Sequence, residues 1–226
     1  MKAKAAILVF SLMGSALAGA GAAGFQKKYF AATRPGAWAK YVMTVGGKSE
    51  SVTLYTRLPD DKGRQRLQVR TDFTSGTNQG TWSVSDYRLK TGYSLEDDAL
   101  DYGRATEGLT MQAKGSQQVK MNASMLKAMV ENMPDYSRSA VFVSTETVNG
   151  LACDRYKYTQ KHPSSPVQIE SGELWLNETV PFGLVRQRVV FDEATGKRLS
   201  DYEMNLQSSG ADASSLSKTD TQKKSW

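Results

Sequence analysis

The sequence predicts a mainly β protein: a strongly curved antiparallel sheet, an incomplete barrel of about nine strands, with one helix as its lid. Three observations carry that expectation. Apolar and polar residues alternate along most of the chain. Short turns rich in Gly, Asn and Pro join successive alternating segments, as antiparallel neighbours require. A single segment, 121–133, has helical periodicity.

The elements follow in order. Lys2 and Lys4 precede an apolar run and several Ala-x-Ala sites, such as Ala18-Gly19-Ala20. This is the form of a secretory signal peptide over 1–23. The run is too short and too Gly-rich for a membrane span, so no transmembrane segment is expected in the mature chain. Strands are expected over 38–45, 51–58, 64–73 and 81–89, joined by Gly46-Gly47 and by Pro59-Asp60-Asp61-Lys62-Gly63. In the fourth of these the apolar positions switch from Trp82 and Val84 to Tyr87 and Leu89, which suggests a bulge or a chain end there. Residues 90–120 show no clear period. Their acidic cluster of Glu96, Asp97, Asp98 and Asp101 lacks calcium-loop spacing and reads as a solvated loop.

The helix carries methionines at 121, 125, 129 and 133, with Leu126 and Val130 beside them. Four-residue spacing puts the thioethers along one side. Such a flexible, polarizable stripe either plugs a core or faces an apolar ligand. Asn122 is placed as its N-cap, and Pro134 stops it. Strands then return over 139–148, 152–160, 167–176, 184–191 and 199–206, with an Asn149-Gly150 hairpin turn and a bulge expected at Gly172. Residues 24–206 form one β-rich domain, and 207–226, rich in Ser, Thr, Lys and Asp, are expected to be disordered. One helix is too little to cover a flat sheet of this size, so the sheet should curl with the helix across its mouth. A β-sandwich with a lateral helix fits the same pattern.

The chemistry of the chain is sparse. His162 and Cys153 are its one histidine and one cysteine. They cannot supply a zinc site or a hydrolase triad, so no metal, no cofactor and no enzyme activity are expected. Cys153 reads as a small buried hydrophobe. The formal charge of +6 falls to +4 without Lys2 and Lys4, and the remaining cations are scattered. Arg64, Arg66 and Arg70 share strand parity and could form an exposed basic face, but the dense patch of a nucleic-acid surface is missing.

Pro35-Gly36-Ala37-Trp38, the Val148-Asn149-Gly150 turn and the stretch from Gly172 to Arg186, with its Val180-Pro181-Phe182-Gly183 corner, resemble periplasmic proteins of the outer-membrane lipoprotein-carrier (LolA/LolB-like) fold. The resemblance covers mainly 145–206 and the first strand. It implies a curved, incompletely closed sheet with helices across an apolar cavity. The chain departs from it in offering one clear helix.

The leading expectation is a periplasmic or secreted protein that binds or carries an apolar or amphiphilic ligand, such as a lipid, an acyl chain or a lipoprotein. Its gripping residues would be Met121, Met125, Leu126, Met129, Val130 and Met133, with Trp82 opposite. The alternative is a non-catalytic envelope protein with a filled core, which binds another protein through a sheet edge or basic face. An apolar void of several hundred Å³ under the helix would favour the carrier; native-density packing would favour the alternative.

Overall fold

A computed structural model describes residues 25–131, 136–162, 165–193 and 197–215. The expected signal peptide, Met133 and the end of the expected tail lie outside them. The described chain forms one curved, unclosed antiparallel sheet of eleven strands. They are β1 (Trp38–Val45), β2 (Lys48–Asp61), β3 (Arg64–Phe73), β4 (Trp82–Leu89), β5 (Thr106–Ala113), β6 (Val119–Lys120), β7 (Val141–Val148), β8 (Leu151–His162), β9 (Ser165–Leu176), β10 (Leu184–Glu193) and β11 (Arg198–Gly210). The spatial order is β6-β5-β4-β3-β2-β1-β11-β10-β9-β8-β7. The chain therefore steps outward from β1 to one edge. It then crosses to the far edge through helix α1 (Ala123–Glu131) and the single turn α2 (Tyr136–Ser139), and returns to close on β1.

Two of the eleven strands, β5 and β6, lie in the segment that shows no clear period. Short hairpins set the register elsewhere. Lys62 and Gly63, and Asn149 and Gly150, take positive φ, as tight hairpin turns demand. The second expected turn is shorter than its sequence suggests: Pro59 lies within β2, where pairing with β3 shifts between Leu58 and Asp61. An irregularity is where a strand tolerates proline.

Four other expectations are corrected. β4 pairs with β3 without a shift, and with β5 it shifts only between Arg88 and Leu89, so no bulge separates Val84 from Tyr87. Both faces of β4 simply carry apolar residues. Gly172 marks no bulge either. A Cβ there would lie 2.5 Å from the Tyr158 ring and 2.7 Å from the Arg188 carbonyl, so the glycine makes room for a tyrosine lying across the strand. Residues 207–210, expected in a disordered tail, extend β11, where Gly210 pairs with Trp38. A Cβ on Gly210 would meet the Trp38 indole at 2.7 Å. Finally, two of the three arginines of the expected basic face are paired: Arg70 is buried and forms an ion pair with Asp72, and Arg64 bonds Glu107.

The two faces differ in chemistry. The convex face carries an ion-pair ladder in which Arg155 bridges Glu146 at 3.2 Å and Glu173 at 2.6 Å, and Arg186 meets Glu203 at 2.7 Å. The Arg155 and Arg186 guanidiniums stack on Trp175, above a small cluster that includes buried Cys153. Burial raises the Cys153 thiol pKa. The concave face holds the main core, which is rich in tyrosine.

Candidate functional site

Curvature brings Tyr41, Tyr55, Leu174, Leu184, Gln187 and Met204 together on the concave face around a cavity of about 60 Å³. Ala99, Leu100, Asp101, Tyr102, Gly103 and Arg104 complete one wall, Tyr136 and Phe182 others. The lining is predominantly apolar ring edge and aliphatic carbon.

Its tyrosines are locked by one another and by the backbone. Tyr41 donates its hydroxyl to the Leu184 carbonyl at 3.0 Å and meets Tyr55 edge to face at 5.4 Å. The Tyr102 hydroxyl shares hydrogen bonds with Tyr55 and Tyr87. Burial pushes the phenols of Tyr41, Tyr55, Tyr102 and Tyr136 well above their usual range, so all are neutral hydrogen-bonding groups at physiological pH. Gln187 donates to the Tyr136 hydroxyl at 3.3 Å.

The cover over this face is the loop between Lys90 and Ala105, whose base is pinned by the Lys90 N–H to the Ala105 carbonyl at 2.8 Å. Leu95, Ala99 and Tyr102 from this loop belong to the main core, and Leu95 is fully buried. The acidic cluster is thus not a solvated loop; its carboxylates organise it. Asp98 accepts from the Leu100 N–H at 2.9 Å, and Glu96 accepts from Gln65 at 2.8 Å. Buried Asp101 accepts from the Tyr136 N–H at 2.8 Å, which ties the loop to the crossover. Asp97 pairs with Lys27.

A second cover is the segment before β1. Tyr29 and Phe30 are buried against the Val180–Gly183 corner, where Phe182 turns inward at φ 65°. Gly183 (φ 70°) admits the approach: a Cβ there would lie 2.8 Å from the Tyr29 carbonyl. Thr33 accepts from the Phe182 N–H at 2.7 Å. Tyr29 hydrogen-bonds Asp154 and, at 2.9 Å, Tyr156. Burial alone would raise the Asp154 carboxyl, but hydrogen bonds from Thr145, Tyr29 and Lys28 outweigh it and hold the pKa below the usual range.

The residues expected to grip a ligand are dispersed. Asn122 does cap α1, accepting from the Met125 N–H at 2.9 Å. Leu126 is buried, and Met121, Met129 and Val130 pack against the main core. Met125 is 53% exposed. None of them lines the cavity. The helix lies against β5, where the Met121 N–H bonds the Leu109 carbonyl at 2.9 Å, so it covers one end of the sheet rather than its centre. Trp82 shares parity with Asp72 and Arg70 across β3 and lies under the Arg70 guanidinium at 5.3 Å, on the face opposite Tyr87 and Leu89. It does not oppose α1. Among the described residues no group of three or more His, Cys, Asp or Glu is placed to hold a metal ion.

The sequence reading missed the tyrosines of this site. Tyr41 sits at a regular inward strand position, so its parity is a usable signal. Tyr102 and Tyr136 lie in irregular segments and carry none.

No family model and no curated protein matches the chain. Similar solved structures include a domain described as outer membrane lipoprotein-sorting from Vibrio parahaemolyticus (9% identity, 83% of this chain and 89% of that one, TM-score 0.32). LprF from Mycobacterium bovis (12%, 82% and 91%, 0.33) and the hypothetical protein CT021 from Chlamydia trachomatis (12%, 78% and 90%, 0.39) are others. At such identities and scores the likeness fixes no ligand, activity or partner.

Proposed function

We propose that this chain is a non-catalytic protein of the bacterial envelope that takes up an apolar or amphiphilic ligand on its concave face. The supporting observation is the ring-lined cavity beside Leu100, Tyr102 and Phe182. Ligand pockets hold ~300–1,000 Å³, so the cavity is a foothold and not a finished site. Uptake requires the 99–104 loop to lift, breaking the Asp101–Tyr136 bond and withdrawing the Tyr102 ring. The ligand then replaces protein atoms on a surface already shaped for apolar burial, at ~25 cal/mol per Å² before ordering costs. The test is titration with an environment-sensitive fluorescent acyl probe. Saturable binding that Leu100→Glu abolishes supports the site; binding indifferent to that charge places the probe elsewhere.

A second reading, an envelope interaction protein with a filled core, is favoured by the same small volume of about 60 Å³. No saturable uptake of the probe by the wild-type chain supports it.

A further inference from the structure

The two edges of the sheet are protected unequally. β6 is two residues long and runs directly toward α1. β7 offers eight residues, and among the described residues it pairs with β8 alone. Val141, Phe142 and Val143 at its start are 50%, 54% and 44% exposed. Natural edge strands are guarded by Lys, Pro, inward charges or shortness, because an open row of N–H and C=O groups templates further pairing. β7 has no Lys and no Pro. Its one charge, Glu146, is held by Arg155 on the convex face. The one device present is a pairing irregularity with β8 between Phe142 and Ser144.

We infer that β7 pairs antiparallel with β7 of a second copy of this chain, extending the sheet through two molecules. The occupant follows from what the edge can accept: an extended strand of similar length, rich in β-branched residues and nearly free of charge. β7 itself, Val-Phe-Val-Ser-Thr-Glu-Thr-Val, meets that description. A two-fold axis through Thr145 sets Glu146 opposite the partner's Ser144, so no carboxylate faces another. It also sets Thr145 against the partner's Thr145, a favoured cross-strand pair. The Phe142 ring, already edge-on to Tyr156 at 5.8 Å, would gain cover on its open side. This association does not depend on the cavity taking a ligand.

Sedimentation velocity on the purified chain across a concentration series, with hydrogen exchange at its two ends, tests it. The expected result is a concentration-dependent dimer in which amides of 141–147 exchange more slowly than in the monomer. Val143→Lys should weaken the dimer at least about tenfold while leaving the circular dichroism unchanged. If that variant does not fold, the wild-type exchange comparison decides alone. A monomer with concentration-independent exchange overturns the inference, as does a dimer that leaves 141–147 unprotected. Adsorption to anionic phospholipid vesicles without dimerisation, lost on Val143→Glu, would assign the edge to a membrane surface and equally overturn it.

Discussion

Helix α1 and the loop between Lys90 and Ala105 both lie over the concave face, and they divide the work contrary to their sequences. The helix has a regular apolar stripe, yet it leaves Met125 in solvent and touches the core at one end of the sheet. The loop has no period and four acidic residues, yet it buries Leu95, Ala99 and Tyr102 and walls the cavity. Periodicity reports which side of an element is apolar. It does not report how much core lies beneath. An irregular segment can bury as much as a helix when short carboxylate-to-backbone bonds, such as Asp98 to the Leu100 N–H, hold it in shape.

The contrast can be broken most forcefully at Leu95. Leu95→Ala empties a fully buried position in the loop and should cost about 2–5 kcal/mol of stability by urea denaturation. A loss of less than about 1 kcal/mol would mean the loop is a loose cover and not part of the core.

The second cover answers to acid. The Asp154 pKa is lowered in the folded chain, as are those of Glu173 and Glu203, each held down by hydrogen bonds that outweigh burial. A carboxylate with a depressed folded pKa contributes stability above its unfolded value, near 4, and that contribution is lost as pH falls through the folded value. The melting temperature should therefore drop as pH goes below about 4. Asp154→Asn should flatten part of that drop and free the amides of residues 27–33 to faster exchange. Unchanged exchange there would show that the Thr33 and backbone contacts suffice without the Tyr29 bond.

The smallest effect belongs to the helix. Met125→Asp puts a charge where the side chain already meets water and should change stability by no more than about 0.5 kcal/mol. It should also leave acyl-probe binding intact. Weakened probe binding would return α1 to the role its stripe suggests.

The sheet was largely readable because nine of its strands, β1–β4 and β7–β11, alternate or end in turns with a mechanism, such as Asn149-Gly150. β5 escaped because Thr106–Ala113 carries few apolar residues, Leu109 and Met111 among them, and β6 because it is too short to show a period. The cavity was much less legible. Its walls come from five strands, the Val180–Gly183 corner, the loop and α2, and only curvature brings them together. Gly172 illustrates the same limit: its need for space is set by Tyr158 on the neighbouring strand, which local sequence cannot reveal.

The proposed uptake requires that the Tyr102 ring occupy space a ligand can take. Titrating the fluorescent acyl probe into Tyr102→Ala beside the wild-type chain, both confirmed folded by circular dichroism, tests it most directly. Saturable binding to both is expected, tighter by about tenfold in the variant because the plug no longer has to be withdrawn. Equal affinity, or no saturable binding to either, would contradict it.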